Sequence, residues 1–210
     1  MYYQNLRIRT PKSVKTISRE GTPLVTLNEG RNFLRSRLPD DDSFINRTIL
    51  SVQRNCERFA KIRVDEGVFD AYFDSMANEL DINDMPIKEV DGVPVVTVYY
   101  TNQDGVEVLM TKGTDYVLYT GDSLTVRLRP EGILSRWIDN EVIRPLQFRI
   151  RYEAGHEDMA DVWPQVKTAM EAELAFYFKN RQDGDQQAVV VDTELTLQAT
   201  KLLTPLRDRS

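Results

Sequence analysis

The hydrophobic period changes twice along this chain, and that double switch limits what it can fold into. Ile45, Ile49, Val52, Cys56 and Phe59 recur at spacings of four, three, four and three, the a/d stripe of a helix packed along one side. Between residues 64 and 153 the period falls to two. Val96, Val98 and Tyr100 alternate with Val95, Thr97 and Tyr99. Leu124, Val126 and Leu128 stand opposite Arg127 and Arg129, and Phe148, Ile150 and Tyr152 opposite Gln147, Arg149 and Arg151. Such alternation predicts antiparallel strands with one wet face. After Trp163-Pro164 the helical period returns with Val166, Met170, Leu174 and Tyr177, and Pro164 suits a first helical turn. The predicted fold class is α+β: a small helical bundle of two N-terminal helices and one C-terminal helix, interrupted by an antiparallel β insert, with extended arms at both ends.

These switches divide the chain into an N-terminal arm (1–24), a helical bundle (25–63 and 156–183), a β insert (64–155) and a C-terminal tail (184–210). In the arm, Pro11 and Pro23 break helices and no apolar stripe forms, so the segment is expected to lie in solvent or along a neighbour. Thr26-Leu27-Asn28-Glu29 is a capping box. Its helix is expected to run to about Leu38, before Pro39, with Leu27, Leu34 and Leu38 on one face. Gly30 marks a weak point there or a place of close packing. Asp40, Asp41 and Asp42 suit the positive end of a second helix. The bundle core is expected to hold Leu34, Ile45, Ile49, Val52, Cys56, Phe59, Val166, Met170, Leu174 and Tyr177.

Within the insert, Val68 to Phe73 reads as an edge strand, Asn102 to Gly105 as a turn, and 130–145, with Trp137, as a loop. The tail carries Val189, Val190, Val191, Leu195, Leu197, Leu202, Leu203 and Leu206. It is too apolar for an idle linker. Two readings stand equal: it docks on a partner, or it folds back on its own domain as a strand or short helix.

Charge is unevenly placed. Residues 1–38 hold eight basic side chains against two acids, a net +6, and residues 39–85 hold five against eleven, a net −6. The arm's share is Arg7, Arg9, Lys12, Lys15 and Arg19. A basic arm beside an acidic block invites pairing within or between subunits. The whole chain, at −6, does not suit a general nucleic-acid binder. No apolar run approaches bilayer length, the N-terminus lacks the apolar core of a secretion signal, and one cysteine makes no internal disulfide.

Catalytic and metal signatures are missing from the sequence. His156, the single histidine, has neither an evident orienting partner nor a cleft. Asp81, Asn83 and Asp84 resemble part of a calcium loop without its spacing or its late glutamate. Asn46-Arg47-Thr48 matches a glycosylation sequon but falls inside the heptad helix. No catalytic residue, metal ligand or cofactor is expected, and a small hydrolase is the weakest reading.

Three stretches taken together resemble a known family. The first is Thr10-Pro11, then Thr22-Pro23-Leu24-Val25-Thr26-Leu27-Asn28-Glu29-Gly30-Arg31-Asn32-Phe33-Leu34-Arg35, an acidic turn, and Asp42-Ser43-Phe44-Ile45. The second is Gly92-Val93-Pro94-Val95-Val96-Thr97-Val98-Tyr99-Tyr100, then Asp104-Gly105 and Asp115-Tyr116. The third is Arg151-Tyr152-Glu153-Ala154-Gly155, Trp163-Pro164-Gln165-Val166-Lys167-Thr168-Ala169, and Tyr177-Phe178-Lys179-Asn180-Arg181. In this order, over residues 8–183, they resemble the head–tail connector (adaptor, head-completion) proteins of tailed bacteriophages. That resemblance implies a non-enzymatic virion protein of the neck, made in the host cytoplasm and assembled as a dodecameric ring beneath the portal. It implies the portal and the next neck or tail protein as partners, genomic DNA passing through the lumen without specific binding, and no membrane. Portal docking would fall to the tail, 184–210, by position and character. A stopper-like protein of the same neck is the alternative.

Overall fold

A computed structural model describes residues 10–19, 21, 23–73, 79–82, 84–102, 104–120, 124–128, 148–158, 162–180 and 195–207. The expected loop 130–145 and Arg129 lie outside the described residues. The chain forms two compact units. One comprises Met1–Arg19 and Glu66–Gly155, the other Glu20–Asp65 and His156–Ser210. Among the described residues there are four α-helices and several antiparallel sheets.

The helical unit begins with α1 (Leu27–Leu34). Thr26 and Glu29 close the capping box: the Thr26 hydroxyl accepts the Glu29 amide at 3.3 Å and the Thr26 amide donates to Glu29 Oε2 at 2.8 Å. The helix stops earlier than its apolar spacing suggests. Arg35 turns left-handed at φ 54°, and the amides of Arg35 and Ser36 close back on Asn32 and Arg31, a Schellman-type end. Leu38 is consequently 63% exposed rather than part of the helix face. A 3-10 turn, Pro39–Asp41, leads into α2 (Asp42–Ala60). Gly30 is a place of close packing: a Cβ there would lie 3.1 Å from Ile45 Cγ2 and 3.2 Å from Ile49 Cδ1.

Helix α3 (Pro164–Asn180) and a fourth helix, α4 (Leu197–Arg207), complete this unit. Ile45, Ile49, Val52, Cys56, Val166, Met170, Leu174 and Tyr177 are buried in one cluster, with Leu34 and Phe59 packed against it. Ala199, Leu203 and Leu206 of α4 are buried in the same cluster. The C-terminal side of the bundle thus holds two helices where the sequence suggests one. Thr196 caps α4, accepting the Ala199 amide at 3.3 Å, and the short apolar spacing 199, 203, 206 then faces the bundle.

The β unit contains a five-stranded antiparallel sheet in the order β1-β2-β10-β6-β7, a three-stranded sheet β3-β9-β8, and a hairpin β4-β5. Their ranges are β1 Ser13–Arg19, β2 Gly67–Phe73, β3 Glu79–Ile82, β4 Glu89–Val90, β5 Val93–Pro94, β6 Val96–Thr101, β7 Glu107–Leu109, β8 Tyr116–Thr120, β9 Leu124–Leu128 and β10 Phe148–Ala154. Asp91 and Gly92 both take positive φ, as a two-residue hairpin turn requires. Phe69, Ala71, Phe73, Val98, Phe148, Ile150 and Tyr152 of the larger sheet share one buried cluster with Leu80, Ile82, Leu124 and Val126 of the smaller.

Two expectations change here. The segment Val68–Phe73 is not an edge strand, because β2 lies between β1 and β10. The edge is taken by part of the N-terminal arm, which pairs in its own subunit, Lys15 opposite Asp70 and Thr16 opposite Phe69. Six of the seven β1 side chains are exposed, so no apolar period reveals the strand. Gly67 admits it: a Cβ there would sit 2.8 Å from the Ser18 carbonyl oxygen.

Candidate interaction surfaces

The outward face of the larger sheet carries a charged network. On β10, Arg149 and Arg151 alternate with the buried Phe148, Ile150 and Tyr152, so both lie on the face away from the core. Register places Asp70 of β2 opposite Arg151. Arg151 donates to both Asp70 oxygens at 2.8 and 2.9 Å, and Arg149 reaches Asp70 at 3.2 Å. Arg149 also makes a two-pronged pair with Glu107 at 2.7 Å and lies 4.0 Å over the Tyr99 ring. Asp70 is 2% exposed. Burial pushes its carboxyl upward, but the Arg151 hydrogen bond and the two guanidinium charges outweigh burial and hold it below its usual value. Glu107 is lowered chiefly by the hydrogen bond from Arg149. Charge compensated in this way ties three strands together.

Reactive groups elsewhere are quiet. Cys56 is wholly buried. Burial first, then the Glu173 and Glu57 carboxylates, push its thiol up to about 12, which disfavours the thiolate a nucleophile needs. His156 rests edge-on against Trp163, centroids 5.1 Å apart, and its amide donates to the Val64 carbonyl at 3.2 Å. Asp81 accepts the Thr125 hydroxyl at 3.1 Å, and Asp84 accepts the Tyr152 hydroxyl; Asn83 lies outside the described residues. Among the described residues no group of three acidic, histidine or cysteine side chains is placed to hold a metal, and no helix is long and apolar enough to cross a membrane.

Of the arm residues, Lys15 and Arg19 lie on β1 and Lys12 just before it, its amide bonded to the Tyr72 carbonyl at 2.9 Å. Arg7 and Arg9 lie outside the described residues. One link between the basic and acidic stretches occurs within the subunit: Arg31 pairs with Asp42. Of the tail residues, Val189, Val190 and Val191 lie outside the described residues. Leu203 and Leu206 are buried in the bundle, Leu195 and Leu202 are packed against it, and Leu197 is 71% exposed. The Asp70–Arg149–Arg151 network eludes sequence reading. Its only signal is the pair of arginines two apart on a strand; the acid they bind lies about eighty positions earlier.

No protein-family model and no curated protein sequence matches this chain. Solved structures do. A chain of the neck of an empty GTA particle, computed with C6 symmetry, matches with a TM-score of 0.63 at 13% identity, over 93% of this chain and 95% of that one. A chain of the virion of a native gene transfer agent particle matches with a TM-score of 0.61 at 13% identity, over 92% and 94%. A chain of the native GTA neck, computed with C12 symmetry, matches with a TM-score of 0.59 at 12% identity, over 93% and 94%. The α+β fold described above is thus shared, almost end to end, with chains of phage-like particles, two of them from necks.

Proposed function

We propose that this chain is a structural protein of a virion neck: an adaptor subunit that forms a ring beneath the portal, extends the DNA channel and joins head to tail. The observation that carries this reading is the near-complete correspondence of fold with a neck chain, running in the same direction as the connector-like stretches of the sequence. The C12 symmetry of one matching neck supports a dodecamer. A net charge of −6 suits a channel through which DNA slides, since phosphate contacts are what generate affinity. Its role is one of assembly rather than catalysis.

In this reading the partners are further copies of the chain, the portal and the next neck protein. We assign the portal contact to the C-terminal tail. Leu203 and Leu206 hold α4 to its own bundle, and among the described tail residues Leu197, on the exposed side, is left as an anchor for a partner. Replacing Leu197 with Asp should leave the subunit folded and abolish its co-purification with portal. Full portal binding by that variant would overturn the assignment. Order of joining separates the adaptor from a stopper-like protein: an adaptor joins DNA-filled heads before any other neck protein.

A further inference from the structure

Among the described residues, the five-stranded sheet ends in two edges, and they differ in kind. The β1 edge is seven residues long. It exposes Val14 at 40% and Ile17 at 43%, and residues 10–19 contain Lys12, Lys15 and Arg19 but no acid. The β7 edge is short. It exposes Leu109 at 58% and, just before the strand, Val106 at 56%. Residues 104–109 contain Asp104 and Glu107 but no base; Glu107 also binds Arg149 on the sheet face. A strand edge presents a row of backbone donors and acceptors, and edges that also show aliphatic side chains are templates for another strand.

Resting on the ring reading above, we infer that β1 of one subunit pairs with β7 of the next, joining the five-stranded sheets into a ladder that runs around the ring. A sheet whose two opposite edges complement each other makes a heterologous contact, and a heterologous contact is what closes a cyclic ring. Charge selects the pairing. Two β1 edges would bring lysine against lysine, whereas β1 against the acidic β7 hairpin is favourable. The Thr16–Ser18 bulge in β1 limits the ladder to a few residues, which matches the short β7.

The test uses two full-length variants, Val14→Glu with Ile17→Glu on β1, and Val106→Glu with Leu109→Glu on β7. All four positions are exposed, and circular dichroism checks that each variant folds. With portal present, native mass spectrometry should find each variant unable to form the ring. A cysteine pair, Val14→Cys with Val106→Cys, treated with a short bis-maleimide in the assembled ring should give a ladder of covalent multimers. Rings formed by either glutamate variant alone, or failure of the cysteine pair to cross-link, would overturn the inference while leaving the ring reading intact. A wild-type chain that forms no ring with portal would overturn both.

Discussion

The two units differ in what most of their buried polar side chains bind. In the helical unit, single side chains on helices satisfy the backbone of the segments that enter or leave them. Gln53 Oε1 accepts the Leu24 amide at 3.0 Å, Glu57 Oε1 accepts the Val64 amide at 3.1 Å, and Glu173 Oε1 accepts the Thr196 amide at 2.5 Å. All three side chains are less than 5% exposed. Each one pins an irregular segment: the entry to α1, the exit from α2 and the entry to α4. In the β unit one buried acid, Asp115, likewise accepts a backbone amide, that of Thr111 at 2.7 Å, whereas the other, Asp70, sits where the ladders already satisfy the backbone and binds two arginines on the neighbouring strand. The helices use buried polar side chains to place chain; the five-stranded sheet uses Asp70 to lock strands. The first arrangement fixes where connections run, and the second stiffens a surface.

That contrast can be broken in four places. The largest effect should follow from Leu203→Ala, which empties a buried site in the helical unit and should cost about 2–5 kcal/mol, read as a lower urea midpoint. No change would mean that α4 does not belong to the bundle core. Asp70→Ala in the β unit should cost about 1–3 kcal/mol, the usual penalty for a lost buried hydrogen-bond partner. The loss stays in that range because Arg149 keeps Glu107 and Arg151 can turn to water. Thr26→Ala removes the α1 cap and should cost about 0.5–2 kcal/mol, with Thr26→Ser restoring most of it.

The smallest effect is electrostatic. Lys167 Nζ lies 2.6 Å from Glu29 Oε1. That hydrogen bond, followed by those from the Thr26 amide and hydroxyl, lowers the Glu29 carboxyl to about 2. A carboxyl lowered on folding stabilises the protein above its unfolded value of 4.5, and that contribution fades as pH falls from there towards 2. The side chains of Lys167 and Glu29 are 39% and 44% exposed, so the pair is worth only about 0.2–1 kcal/mol after solvent screening. Lys167→Ala should therefore lower stability slightly at pH 7 and much less at pH 2, measured as a difference between two urea titrations.

Elements with a strong period are legible in the sequence. Along β10 buried and half-buried residues alternate without a break, and α2 buries its a/d stripe, so both can be read one residue at a time. What escapes depends on partners distant in sequence. Strand β1 has no apolar face, and it exists because Gly67 lets its backbone approach β2. Helix α4 has a short stripe that either of two readings of the tail accommodates, and its cap is fixed by Glu173, 23 positions away. The end of α1 escapes for a local reason: an arginine adopts the left-handed conformation that usually marks a glycine. For the interaction surfaces, the arginines of β10 are legible as facing away from the core. The strand order that brings Asp70 beside Arg151 and Glu107 beside Arg149 is not, because a period reports which face a residue occupies and not which strand lies next to it.

The most direct test of the neck assignment is the mass and negative-stain appearance of the purified chain, alone and mixed with the portal of its own particle. The assignment predicts a ring, or a stoichiometric complex carrying twelve copies of the chain against one portal ring. A monomer that ignores portal at high concentration would contradict it.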